Sequence, residues 1–318
     1  MTRRLPPEVG AILDHGAFCY VAVGTPRGPH VTPVVYAMHA SRMWLTTARR
    51  TVKARVWRDR TRTAGMVRGG DRAVSFVGSV RLHDGLDPTT WIPSAASLPT
   101  ISLAAAAFTR RNARFFAGYA VDARRVPLSW TPPGRVFAEV RVEAAAILED
   151  WGVEPRIWGQ FGERVHSHGS FRAGRSKSGP LAAIPAEVAE RVGRVGQSVL
   201  ALEGADGPVV LPSLHVESNG VMYAAVDARA LALSGGGPDA PVGLTVDHAS
   251  RWRASAMTGA LVQGIGEVHV LSRLRSGRAA AERLVERAGA LPDGMALVRV
   301  RPRRVVWWRG WASGTVRL

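Results

Sequence analysis

Hydrophobic positions along the chain fall in short runs that alternate with polar ones, the two-residue period of strands half buried in a sheet. Residues 18–23 (FCYVAV) form one such run, and Thr25, Gly28 and Pro29 supply the turn that follows it. Residues 31–38 and 42–47 predict the next two strands, with His39, Ala40 and Ser41 between them. Residues 73–82 predict a long strand around Gly78. The spacing becomes helical at 51–58, where Val52, Val56 and Trp57 share a side, and at 100–119, anchored by Phe108, Phe115 and Phe116. A shorter helical stretch covers 279–288, and Pro185 opens a short helix that runs to about Val195.

The same order of elements then returns. Val21 laid on Leu200 brings Gly28-Pro29 onto Gly207-Pro208, Pro33 onto Pro212 and Met43-Trp44 onto Met222-Tyr223 without a gap. Further along, Gly78 matches Gly264, and the late strand from Phe137 matches one from Met295. Asp206-Gly207 and Asn219-Gly220 add hairpin signals in the second copy. Residues 19–151 and 199–311 therefore read as a tandem duplication of one β-rich unit with a late helix in each copy. The expected domains are 1–152, a Gly-, Ser- and Arg-rich linker with a short helix at 153–195, and 196–318.

Composition narrows the classes of function. The formal charge of +17 comes almost wholly from arginine spread through both halves, and the basic run at 299–304 alternates with Val and Pro as one face of a strand would. That is a bias in residue usage, and no nucleic-acid partner is expected. Cys19 is the single cysteine, so neither a disulfide framework nor a cysteine zinc site can be built. No apolar stretch reaches the length of a signal peptide or a membrane span, the nearest being 101–108. A soluble cytoplasmic protein with no membrane partner is expected. His166 and His168 have no carboxylate or cysteine cluster beside them, so no metal site is expected. Residues 169–176 approach a phosphate-loop motif but carry Arg175 where that motif needs Lys, and they read as a basic linker.

Lys53 is one of only two lysines, the other being Lys177. It lies early in a predicted helix, after a strand ending Thr46-Thr47 and beside Arg50 and Thr51. Two hydroxyls at a strand end and a cation at a helix start would make a compact site for a phosphate. A solvated surface lysine satisfies the same spacing.

The first copy resembles the pyridoxamine 5'-phosphate oxidase-like, FMN-binding split-barrel family. The matching pieces are CYVAVGTPRGPHVTPVVYA (19–37), MWLTTARRTVKARVWRD (43–59) and VSFVGSVRL (74–82). The resemblance implies a mainly β fold: two tandem split β-barrels with helical additions that form an intrachain pseudo-dimer. It places Thr32, Pro33 and Val34 along a flavin ring, and Thr46, Thr47, Arg50, Thr51 and Lys53 at its phosphate. It implies an FMN-dependent oxidoreductase acting on a small conjugated substrate, with no catalytic side chain identified. The alternatives are a non-catalytic flavin- or haem-binding protein and a deazaflavin-dependent reductase. The chain would be a monomer with its internal pseudo-dimer, or a homodimer. Two departures stand out. Ala73 occupies a place where the family often has Gln. In the second copy Ala225, Val226, Ala230 and Ala232 replace Thr46, Thr47, Thr51 and Lys53, while Asp227 adds a negative charge and Arg229 alone persists. The second pocket is expected to be dead, with Trp307, Trp308, Arg309 and Trp311 packing the pseudo-interface or stacking near the ring.

Overall fold

The computed structural model describes residues 4–95, 97–128, 131, 134–149, 151–161, 179–204, 207–218, 220–235, 239–250, 253–270, 282–284, 286 and 294–318. The phosphate-loop-like segment, His166, His168, Lys177, Asp206, Asn219 and most of the helix expected at 279–288 lie outside these residues.

Strands dominate. The first half runs α1 (Pro7–His15), β1 (Cys19–Val23), β2 (His30–Val34), β3 (Tyr36–His39), β4 (Arg42–Ala48), α2 (Val52–Asp59), β5 (Arg62–Gly69) and β6 (Arg72–His83). It continues with α3 (Trp91–Ala95), α4 (Leu98–Arg111), α5 (Ala113–Val121), β7 (Arg135–Leu148) and β8 (Arg156–Trp158). After α6 (Ala186–Val192), the second half runs β9 (Val195–Gly204), β10 (Gly207–Ser218), β11 (Val221–Asp227), α7 (Ala228–Ala232), β12 (Ala240–His248), β13 (Thr258–Val270), β14 (Met295–Arg309) and β15 (Ala312–Arg317).

The two sheets have one topology. In the first the strand order is β2-β1-β5-β6-β7-β4-β3, and the chain joins its two edges through Val35. In the second it is β11-β10-β9-β12-β13-β14, closed into a barrel by pairing of β11 with β14. Residue pairings make the duplication quantitative. Val21 opposite Thr32 becomes Leu200 opposite Leu211, and Ala22 opposite Ala64 becomes Ala201 opposite Gly243. β8 pairs with β7 as β15 pairs with β14.

The late strand corrects the sequence alignment. Thr46 pairs with Phe137 and its counterpart Ala225 pairs with Leu297, so Phe137 corresponds to Leu297 and not to Met295. Arg135 is the true counterpart of Met295. A slip of two residues keeps every side chain on its own face of the strand, which is why the hydrophobic pattern alone did not reveal it.

Both copies also carry one bulge. Val77 and Gly78 pair with Ala144 and Val142, leaving Glu143 extra; Gln263 and Gly264 pair with Arg304 and Pro302, leaving Arg303 extra. A Cβ on Gly78 would sit 2.1 Å from the Arg141 carbonyl oxygen, and one on Gly264 2.0 Å from that of Arg301. Glycine is needed here for close backbone approach, and the bulge also admits Pro302 within a strand.

Strand period two then divides the side chains between two cores. Val21, Val23, Met43, Leu45, Val74, Phe76 and Val140 fill the first barrel, whose end α1 and α2 close. Their neighbours Ala22, Val31, Ala64, Met66, Ala144 and Ala146 face outward and join Val199, Ala201, Val210 and Val242 in one continuous apolar cluster. This seam is the intrachain pseudo-dimer interface. Thr245 donates to the Val31 carbonyl (2.7 Å), and the buried Gln263 amide donates to the carbonyls of Gly28 (3.2 Å) and Pro29 (3.1 Å).

Three other expectations are revised. The helix expected at 100–119 is broken at buried Asn112, whose side-chain amide donates to the Phe108 carbonyl (2.9 Å) and to that of Tyr36 (3.2 Å), competing with the helical backbone. The strand expected at 31–38 divides at Val35 between β2 and β3. In α2 the buried face is Lys53, Ala54 and Trp57, while Val52 and Val56 are only half buried.

Gly78→Ala and Gly264→Ala are each expected to destabilise the protein by about 2 kcal/mol or more in denaturant titration, with equal rank because the bulges are copies. A second prediction concerns Glu203 on β9, whose Oε2 is buried without a hydrogen-bond partner. Burial pushes its carboxyl up from 4.5 to about 7, opposed by Arg60. The folded state therefore binds more protons than the unfolded one between those values, and stability falls as pH rises through that window. Glu203→Gln is expected to raise Tm at pH 8 and to leave it nearly unchanged at pH 4.

Candidate functional site

Four elements bring the sequence-derived residues together. β4 ends at Thr46, Thr47 and Ala48, and the chain turns through Arg49 and Arg50 into α2. Thr51 caps that helix: its Oγ1 accepts from the Ala54 amide (3.3 Å) and donates to the Ala48 carbonyl (2.9 Å). Because the Thr51 proton is committed to Ala48, the 3.0 Å contact with Thr47 makes the Thr47 hydroxyl the donor.

One turn into α2, Lys53 turns inward. Its Nζ donates to Thr32 Oγ1 on β2, and the residue is only 4% exposed. No carboxylate lies within ion-pair distance of it among the described residues. Burial pushes the ammonium down from 10.5 to about 8; the Cys19 thiol opposes this and the Arg135 guanidinium adds to it. His30, on the same face of β2 as Thr32, is driven to about 3 by burial and then by the charges of Lys53 and Arg304, and is neutral at physiological pH. The locus is thus electropositive, buried and without an internal counter-ion.

The remaining sequence-derived residues are arranged differently. Thr32, Pro33 and Val34 alternate along β2: Thr32 lies opposite Val21 and Val34 opposite Cys19, while Pro33 lies opposite Tyr20 on the seam side. Thr46 accepts from Arg135 Nε through its hydroxyl (2.8 Å) and from Arg135 Nη2 through its carbonyl (2.9 Å). Arg50 is exposed and makes no hydrogen bond or ion pair among the described residues. Ala73 lies away from Lys53, in a cleft at the other end of the seam.

Sequence reasoning missed Arg135 and Tyr119. Burial lowers the Arg135 guanidinium pKa, and the Tyr119 hydroxyl, raised by its own burial, is close enough to oppose this. Trp311 from the second half meets the Tyr119 ring edge-on, with centroids 5.5 Å apart. Trp307 and Trp308 pack against the shared core, and Arg309 pairs with Glu187 at 3.7 Å. A signal for Arg135 was present: in the corrected register its counterpart is Met295, so it disappears from the second copy together with Lys53.

The second copy handles the same place in the opposite sense. Asp227 Oδ1 accepts from the amides of Arg229 (2.8 Å) and Ala230 (2.9 Å), and Oδ2 accepts from the Gly152 amide (2.5 Å). A carboxylate of the chain itself thus takes the donors at this strand end. The adjoining cleft, of about 260 Å³, is lined by Pro212, Ser213, Asp227 and Ala230 of the second half and by Arg68 and Trp151 of the first. Among the described residues no cluster of His, Cys, Asp and Glu is placed to hold a metal, and no helix is long and apolar enough to cross a membrane.

No protein-family model and no curated protein matches the chain. Among solved structures it is similar to General Stress Protein 26 from Bacillus anthracis str. Sterne, at 8% identity and a TM-score of 0.31 over 48% of this chain and 96% of that one. It is similar to an F420 reductase at 20% identity and a TM-score of 0.29, over 46% of this chain and 100% of that one. It is also similar to a pyridoxamine 5'-phosphate oxidase-related, FMN-binding protein from Nostoc punctiforme PCC 73102, at 17% identity and a TM-score of 0.33, over 46% of this chain and 85% of that one.

Proposed function

We propose that the first half binds FMN at the seam and that the protein is a flavin-dependent oxidoreductase for a small conjugated substrate. The observation that carries this reading is Lys53, an ammonium almost wholly removed from water with only a hydroxyl for a partner. Burying an unpaired charge is costly, and an oxyanion ligand supplies the missing counter-charge. The donors fit a phosphate: Lys53 is a point cation beside the N-terminal turn of α2, and the Thr47 hydroxyl, which now donates to Thr51, would have to turn to the ligand.

In this reading Arg135 holds Thr46 and the end of β4 in place, and Thr32 holds the Lys53 side chain until the phosphate arrives. Tyr119 and Trp311 supply aromatic surface beside Arg135, with Trp311 contributed by the second copy. The flavin would supply hydride or electron transfer, and these residues would bind and orient it and exclude water. The second copy supplies a wall, and its own Asp227 takes the place of an anion.

The energetics give a test with opposite signs. Depression of Lys53 from 10.5 to about 8 corresponds to a native-state penalty of about 3 kcal/mol at neutral pH, relieved as pH rises from 8 towards 10.5. Lys53→Met is therefore expected to raise the Tm of the cofactor-free protein at pH 7, with the gain shrinking as pH rises from 8 to 10.5. The same substitution is expected to weaken FMN binding about tenfold or more, read by flavin fluorescence quenching. FMN affinity of the parent chain should itself fall as pH rises past 8. Unchanged FMN affinity in Lys53→Met would overturn the phosphate assignment.

A further inference from the structure

A groove of about 700 Å³ on the outer face of the first barrel is lined wholly by first-half residues, among them Arg42, Trp57, Arg58, Arg81, Arg141 and Thr90. Strand register sets its charges. Val80, Val140 and Val142 point into the barrel, so Arg81 and Ser79 of β6 point outward with Glu139 and Arg141 of β7. Ser79 lies opposite Arg141 and Arg81 opposite Glu139. Met43 lies opposite Val140, which brings Arg42 beside Arg141 on the neighbouring strand. Three arginines thus meet around Glu139 on adjacent strands, and one carboxylate leaves an excess of positive charge.

Three acids line the groove, and each is engaged. Glu139 faces Arg42 and His83, each at 3.6 Å, Asp84 takes Arg58 at 3.1 Å as well as Arg49, and Asp87 accepts from the Thr89 amide (3.1 Å) and hydroxyl (2.7 Å). Neither Arg81 nor Arg141 donates a hydrogen bond or makes an ion pair among the described residues.

The duplicate serves as an internal control. By the register of the bulge, Glu267 stands where the first copy has Arg81, and Arg301 where it has Arg141. There Glu267 pairs with Arg301 at 2.9 Å and with Arg299 at 3.5 Å, and Asp239 takes Arg301 at 2.6 Å. The cross-strand pair is reversed in sign between the copies, Arg81 opposite Glu139 and Glu267 opposite Arg299, and Arg301 has acids beside it where Arg141 has no ion pair among the described residues.

We propose that this groove is a second binding site, independent of Lys53, for a small phosphate-bearing molecule whose oxygens accept from Arg81 and Arg141. Arg81, beside Glu139, and Arg141 both keep guanidinium donors that make no hydrogen bond among the described residues, and planar guanidiniums match phosphate oxygens bidentately. The volume suits a ligand of nucleotide size.

The test uses the full chain carrying Lys53→Met, so that the first site takes no phosphate, titrated with inorganic pyrophosphate by calorimetry. Saturable binding of one pyrophosphate per chain is expected. Adding Arg81→Gln is expected to weaken binding about tenfold or more. Adding Arg141→Gln instead is expected to weaken binding to a similar extent. Absence of pyrophosphate binding, or affinity indifferent to both substitutions, would overturn the proposal. So would a short DNA duplex that binds through Arg81 and Arg141 far more tightly than pyrophosphate does, since the ligand would then be a nucleic acid.

Discussion

Everything in this protein is arranged around an apolar seam between two copies of the same sheet. Each strand that crosses it spends alternate side chains on its own barrel and on the partner: Val21 and Val23 inward, Ala22 outward, with Leu200 and Leu202 against Ala201 in the second copy. Small residues at the outward positions let the sheets approach; a Cβ on Gly243 would stand 2.4 Å from the Pro29 carbonyl oxygen. A seam between identical chains would set each residue on the axis against its own copy. Fusion removes that restriction. Arg68 and Asp247 are equivalent positions, and they now attract each other across the seam, with Tyr20 donating to Asp247 at 3.4 Å.

Released from symmetry, the copies diverged mainly in charge. The first keeps Lys53 and Arg135 at the end of β4, buried and with hydroxyls for partners. The second substitutes Ala232 and Met295 and adds Asp227, which takes the nearby amides itself. A buried charge without a counter-ion is expensive, so the second copy lowers its energy internally, and under the proposed function a ligand would recover that energy at Lys53 in the first. On the outer face the cross-strand pair is reversed in sign, with Glu267 opposite Arg299 in one copy and Arg81 opposite Glu139 in the other.

Much of this was legible in the chain. The repeat, the strand order around Gly78 and Gly264, and the start of α2 all follow from period and turn chemistry. What could not be read had physical causes. A two-residue slip in the late strand preserves facing, so Phe137 was matched to Met295 and Arg135 passed unnoticed. Asn112 interrupts a good helical pattern through a side-chain hydrogen bond to a distant strand, which no local propensity encodes. Lys53 was recognisable as unusual among so many arginines, but its inward turn to Thr32 depends on β2 passing beneath α2. Arg50, equally suggestive in sequence, faces water. The aromatic pair Tyr119 and Trp311 joins residues from different halves, a contact that only the seam creates.

Two copies of one fold carry one buried ammonium at the end of β4, that of Lys53, which allows one flavin for each chain. The ratio of bound flavin to protein, measured by absorbance of the FMN-saturated and desalted chain, tests it most directly. A ratio of one agrees with a site at Lys53 and an internally satisfied Asp227. A ratio of two would show that Asp227 does not close the second copy, and a ratio of zero would show that the buried ammonium of Lys53 serves some other anion.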